Sequence, residues 1–184
     1  MEFKEIFIKG AFLLKPKIFG DSRGYFFESF NKKEFEENIG AVNFVQDNES
    51  ESSVGVLRGL HFQKGKYAQA KLVRVIKGAV LDVIVDIRPD SPTFGKHFSI
   101  ELTEKNKLQL FLPRGMAHGF VVMENNTVFA YKVDNVYSPE NESGILYNDP
   151  DLSINWQLPE SSLILSDKDK KLSTLKEKII KIQS

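Results

Sequence analysis

The sequence contains no cysteine, and that absence removes disulfides, thiolate metal sites and a cysteine nucleophile together. It also lacks an excess of charge of either sign. The 25 Lys and Arg balance 25 Asp and Glu, so no global field recruits nucleic acid or a membrane surface. An anionic small molecule must then be met by a local basic cluster. Long hydrophobic runs are missing as well: no uninterrupted apolar run approaches the roughly 20 residues of a membrane span. The first residues mix Glu2, Lys4, Glu5 and Lys9 among apolar neighbours and contain no signal-peptide core. These absences set a cytoplasmic expectation. There is no internal repeat, low-complexity segment or linker. What remains is 184 residues, 41% hydrophobic and 27% charged, enough for one domain (1–184) with a real core.

Period-two alternation dominates that chain. Ala79, Leu81, Val83, Val85 and Ile87 share one face of a strand. Val80, Asp82, Ile84, Asp86 and Arg88 share the other, where two carboxylates on a partly apolar face require partners. A strand with two apolar faces also hints at burial on both sides, and so at a dimer. Phe98–Leu102 and Leu108–Leu112 alternate in the same way, Ala117–Met123 and Thr127–Val133 read as strands carrying His118 and Tyr131, and Tyr25–Phe30 reads as an aromatic strand. Phe44–Ser50 leaves an apolar pair for a polar tract, read as a loop or strand end. Asn31 is placed to cap a short helix from Lys32 to Ile39, stopped by Gly40. From Tyr137 to Pro159 periodicity fades into loop around the lone Trp156. After Leu165-Ser166-Asp167-Lys168-Asp169, the positions Leu172, Leu175, Ile179 and Ile182 predict a C-terminal helix. Many short strands, regular turn signals and few short helices argue an all-β sandwich or barrel, in the form of a jelly roll.

The chemistry concentrates in RGLHFQKGKYAQAK, Arg58 to Lys71. If Gly55–Gln63 is a strand, His61 and Gln63 point one way and Leu60 and Phe62 the other. A hairpin-like return through Lys64-Gly65-Lys66 brings Lys71 back near His61. A neutral imidazole beside a fixed cation suits proton removal from carbon. A core histidine with a solvated lysine is the competing reading. Further on, Pro113-Arg114-Gly115-Met116-Ala117-His118 has the spacing P-x-G-x-x-H. It resembles the second motif of cupins, in which that histidine binds a metal. The first cupin motif wants two histidines and a glutamate, whereas His61-Phe62-Gln63 offers one histidine and an amide. Two imidazoles and an amide are a poor donor set for a divalent first-row metal, so none is expected. His118 is then a hydrogen-bonded core residue or a substrate contact.

The segments DSRGYFFESF, FVQDNES, VLRGLHFQ, AQAKLVRVIKGAVLDVIVDIR, SPTFGK, FLPRGMAHGF, YKVDNVY, NDPDLSINW and LSDKD occur in this order over nearly the whole chain. Together they make the chain resemble the nucleotide-sugar epimerases of the dTDP-4-dehydrorhamnose 3,5-epimerase type. The departure is in the turn after Gln63, where many members carry prolines and this chain has Lys64-Gly65-Lys66. The resemblance implies a cupin-like jelly roll, a homodimer, and no metal or other cofactor. It also implies a dTDP-4-keto-6-deoxyhexose substrate, inverted at C3, C5 or both in deoxysugar (dTDP-rhamnose-type) biosynthesis.

Removing a proton beside a ketone needs a base on one face, stabilisation of the enolate oxygen, and an acid on the other face. By resemblance the base is His61, oriented by Asp169. Lys71 is the cation for the enolate, and Tyr131 is the acid, with Tyr137 as the second candidate. Arg23 and Arg58 match the family's diphosphate contacts, where a planar guanidinium can hold phosphate oxygens bidentately. Phe26, Glu28, Gln46 and Asn48 match the segments that hold the base and deoxyribose, in a pocket completed by the dimer partner. Asp82 orients part of the site or pairs with a buried cation. The competing functions are a mono-epimerase, a metal-dependent cupin, and a non-catalytic nucleotide-sugar-binding cupin. The last has no need of the set His61, Lys71, Asp169 and Tyr131.

Overall fold

The alternating runs fold into short antiparallel strands. A computed structural model describes residues 1–178. In chain order its strands are β1 (Glu2–Glu5), β2 (Phe12–Lys15), β3 (Phe19–Asp21), β4 (Gly24–Phe26), β5 (Gln46–Ser52), β6 (Leu57–Gln63), β7 (Lys71–Lys77), β8 (Ala79–Asp86), β9 (His97–Thr103), β10 (Gln109–Leu112), β11 (Met116–Val122), β12 (Thr127–Val133) and β13 (Glu142–Gly144). One sheet runs β1-β2-β10-β7-β12-β5, and a second runs β13-β6-β11-β8-β9. They face each other as the two layers of a jelly-roll sandwich, while β3 and β4 pair separately as a small ribbon.

Alternation assigns each residue to a layer. Val73, Val75, Leu110, Leu112 and Phe129 from one sheet meet Val80, Ile84, Met116, Phe120 and Val122 from the other, forming the inter-sheet core. The opposite faces are covered by the same chain. Helix α1 (Lys32–Asn38) lays Phe35 and the neighbouring Phe30 and Phe44 against Leu14, Leu72 and Phe111. Asn31 caps it, its side chain accepting from the Glu34 N–H at 3.2 Å. Behind the second sheet, Ile145, Leu152 and Trp156 cover Leu81, Val83 and Val85. Both faces of β8 are therefore buried within one chain, and the two-faced pattern carries no argument for a partner. Its carboxylates do find partners: Asp86 binds Arg88, Ser91 and Thr93, and Asp82 binds His118.

Three expectations change. The polar tract after Phe44, read as a loop or strand end, is a full strand, β5, the edge of the six-stranded sheet. The aromatic strand Tyr25–Phe30 ends at Phe26, because Phe30 turns back under α1. The aperiodic stretch after Tyr137 contains β13, which pairs with β6. The C-terminal helix starts at Leu175 and is described through Lys178. Thr174 and Glu177 cap it reciprocally at 3.0 and 3.3 Å. Leu172 precedes it, and Ile179 and Ile182 lie outside the described residues.

Candidate active site

Three strands of the six-stranded sheet and two of the five-stranded sheet line an open cavity of about 520 Å³ between the layers. His61 (β6) and His118 (β11) are direct cross-strand partners, so both imidazoles project from one sheet. Lys71 (β7) and Tyr131 (β12) project from the other, with the Lys71 Nζ 5.8 Å from the Tyr131 ring centre. Lys71 thus meets His61 across the sandwich, not through a hairpin, because β6 and β7 belong to different sheets.

Arg58 joins them by a local irregularity. Strict alternation would put Arg58 on the face of Leu60 and Phe62, away from His61. Between His118–His61 and Phe120–Arg58, however, β11 advances two residues while β6 advances three. The extra residue is a β-bulge, which reverses the facing of everything beyond it. Gly59 occupies it with φ +135°, and a Cβ there would lie 2.5 Å from the Gly119 Cα. Only glycine fits a positive φ at so close an approach. Leu57 and Leu60 then both reach the outer core while Arg58 and His61 both line the cavity.

Each imidazole has its own carboxylate. His61 Nε2 lies 2.6 Å from Asp169 Oδ1, a pair joined across 108 residues. Burial pushes the Asp169 carboxyl up, but the hydrogen bond and charge of His61, helped by Ser166 and the Gly59 backbone, hold it below the usual range. An ionised Asp169 makes the His61 Nε2 the donor, leaving Nδ1 to accept a proton. His118 Nε2 lies 2.9 Å from Asp82 Oδ2 at the cavity floor. Burial pushes His118 down, against Asp82. The second oxygen of Asp82 is buried with no hydrogen-bond partner among the described residues. Burial brings the Lys71 ammonium down to about 8, opposed by the charges of Asp82 and Glu142. Burial pushes the Tyr131 phenol up and keeps it protonated, with Arg58 opposing. The arrangement offers a base on one wall, an acid on the other and a cation beside them.

A family model described as dTDP-4-dehydrorhamnose 3,5-epimerase matches residues 5–177. The chain belongs to this family. The Escherichia coli K12 dTDP-4-dehydrorhamnose 3,5-epimerase is 53% identical over 174 residues, covering 94% of this chain and 93% of its own. Among solved structures, that of the Elizabethkingia anophelis dTDP-4-dehydrorhamnose 3,5-epimerase superposes with a TM-score of 0.93 at 52% identity, over 97% of this chain and 98% of its own. The Legionella pneumophila dTDP-6-deoxy-D-glucose-3,5-epimerase, solved in complex with dTDP-4-keto-L-rhamnose, gives 0.91 at 46% identity, over 95% and 93%. The sandwich is thus the cupin-like fold of these epimerases.

For this member of the dTDP-4-dehydrorhamnose 3,5-epimerase family, the structure sorts the expected residues into three groups. His61, Lys71, Tyr131, Asp169, Arg58 and His118 line the main cavity. Gln46 and Asn48 line an adjoining one of about 280 Å³, which shares His61, Lys71 and Tyr131 with the first. Arg23, Phe26 and Glu28 reach neither. Arg23 and Phe26 stand on or beside the β3–β4 ribbon, where Arg23 is 87% exposed and paired with Asp21 at 2.5 Å. Glu28 follows it and accepts from the Asn31 amide.

The sequence reading missed two polar residues at the mouth. Glu142 lies in the aperiodic stretch, where no pattern marks it, and Lys168 reads only as part of the run leading into the C-terminal helix. Glu142 Oε2 accepts from the Tyr137 hydroxyl at 2.6 Å and from the Lys168 ammonium. Burial pushes the Glu142 carboxyl up, but these partners hold it low overall. Tyr137, 51% exposed, has its hydroxyl engaged there.

Proposed function

We propose that the chain epimerises a dTDP-4-keto-6-deoxyhexose at C3 and C5, through an enolate, in deoxysugar (dTDP-rhamnose-type) biosynthesis. The observation that carries this reading is the His61–Asp169 pair facing Lys71 and Tyr131 across one cavity. His61 Nδ1 takes the proton beside the ketone, and Asp169 stabilises the imidazolium. The Lys71 ammonium meets the enolate oxygen. Tyr131 returns a proton to the opposite face and regains its own from solvent as His61 releases the first. Geometry favours Tyr131 over Tyr137, whose hydroxyl is occupied by Glu142. Every proton transfer in this reading is assigned to a side chain.

Arg58 at the cavity and Arg23 on the ribbon hold the diphosphate in this reading, and Phe26, Glu28, Gln46 and Asn48 hold the nucleoside. The distance of the ribbon from its own cavity supports a homodimer in which one chain's ribbon completes its partner's pocket. Phe19, Tyr25 and Phe26, 54%, 60% and 66% exposed, are the apolar surface such a contact would cover. None of the described helices is long and apolar enough to cross a membrane. A cytoplasmic setting goes with this reading.

The test is NMR in heavy water with dTDP-4-keto-6-deoxyglucose, coupled to a reductase that traps the product. The expected result is inversion at both carbons with deuterium at each. Inversion at one carbon would make it a mono-epimerase, and no exchange at all would remove the enolate mechanism.

A further inference from the structure

The NDPDLSINW stretch contains a buried carboxylate that the chemistry above does not use. Asp149 is 1% exposed. Its Oδ1 accepts from the backbone N–H groups of Asp151 at 2.8 Å and Leu152 at 3.3 Å, closing its own turn. Its Oδ2 reaches 26 residues along the chain and accepts from the Leu175 N–H at 2.7 Å. Leu175 is the first residue of the C-terminal helix, so this N–H has no partner within the helix.

That contact closes one end of a segment whose middle holds Asp169. At the near end, Ile164 exchanges backbone hydrogen bonds with the β6 approach: its N–H donates to Gly55 at 2.8 Å, and its carbonyl accepts from Leu57 at 3.0 Å. At the far end, the Leu146 N–H donates to the Ser173 carbonyl at 3.0 Å, and Asp149 holds Leu175. Between them the segment has a short 3-10 turn, Asp169–Lys171, the Ser166 hydroxyl accepting from the Asp169 N–H at 3.1 Å, and the Gly59 backbone at the Asp169 carboxylate. The near clamp is backbone pairing that many sequences would supply. The far clamp needs an acceptor that serves both the turn and the helix end.

We infer that Asp149 is a positioning residue for the reaction: by holding the Leu175 N–H it fixes the far end of the segment that presents Asp169 to His61. The inference rests on the reading of His61 and Asp169 as the catalytic pair. A carboxylate meets the requirement with two acceptor oxygens. An asparagine keeps one oxygen for the turn but turns an N–H₂ toward another donor.

Asp149→Asn is therefore the discriminating variant, because volume and turn are retained and the clamp is lost. With dTDP-4-keto-6-deoxyglucose as substrate it should lower kcat about 10- to 100-fold, the scale of a small misplacement, with KM little changed. In the double variant with Asp169→Asn it should cause no further loss, since no pair remains to be positioned. Leu175→Pro is the second route. Proline is tolerated at a first helical position and removes the same hydrogen bond from the donor side. It should reproduce the kcat loss, and it decides the matter if Asp149→Asn fails to fold. Wild-type kcat in either folded variant overturns the inference, as does a loss that multiplies with that of Asp169→Asn. Wild-type kcat in Asp169→Asn alone would instead overturn the reading of the catalytic pair.

Discussion

Lys71 shows at the scale of one residue how function and stability pull apart. Burial brings its ammonium down to about 8 from 10.5, with Asp82 and Glu142 opposing, and His61, His118 and Tyr131 line the same cavity. A lowered folded-state value means that the folded chain holds this proton less tightly than the unfolded chain. Lys71 therefore costs stability below about 8, and the cost is relieved as pH rises between about 8 and 10.5. Its proposed role needs the charged form, so kcat/KM should fall as pH rises through about 8, as a pH–rate profile would show. Lys71→Met should abolish epimerisation yet raise Tm, by about 2–4 °C for each kcal/mol recovered. An unchanged Tm in a scanning calorimeter would mean that the buried charge is not a cost. His61→Asn and Tyr131→Phe should differ in kind. The first should abolish both inversion and deuterium uptake, by about 10²–10⁴-fold. The second should still form the enolate, and His61 can return deuterium to the original face, giving exchange without inversion. Single-turnover NMR in heavy water reads the two separately. Tyr131→Phe epimerising at the wild-type rate would pass the acid role to another group.

The β6 bulge is the element on which the site's geometry turns. Without the extra residue at Gly59, Arg58 would face the outer core and the cavity that His61 lines would lose its arginine. Gly59→Ala adds a methyl where Gly119 already lies, at a φ of +135°. It should cost about 1–3 kcal/mol in backbone strain alone, measured by urea unfolding. Because relief of the clash shifts Arg58, KM for the nucleotide sugar should rise in the folded fraction. An unaltered KM would show that the bulge has no bearing on Arg58. The cap of α1 is a separate, local contribution to stability: Asn31→Ala should cost about 1 kcal/mol, also measured by urea unfolding.

At the scale of the whole molecule, the β3–β4 ribbon is the part that a single chain leaves unexplained. If it completes a partner's pocket, light scattering should give the mass of a dimer. Arg23→Ala should raise KM by roughly 10- to 150-fold, the worth of a charge-assisted contact of roughly 1.5–3 kcal/mol. Mixing Arg23→Ala with His61→Asn chains then gives a direct test. In a mixed dimer, one site carries both substitutions and the other carries neither, so activity at low substrate should recover. If each ribbon served its own chain, mixing would recover nothing.

Strand content, the two faces of β8 and the capped helix at Asn31 were all legible in the sequence, because period-two burial and end capping are local. So was the identity of the chemical groups, since an imidazole, an ammonium and a phenol keep their chemistry wherever they fold. The sequence by itself could not pair His61 with Asp169 or bring Lys71 across from the opposite sheet. Both contacts join residues that local patterns treat separately, and the sandwich closes them only when its two layers pack. Glu142 lay in a stretch without periodicity, and Arg58 took its facing from a bulge that depends on the approach of Gly119. β5 read only as a loop or strand end because its polar, half-exposed residues show no apolar alternation. What the tertiary structure decided was thus register and long-range contact, which arise from the packing of one sheet on another and are written in no single segment.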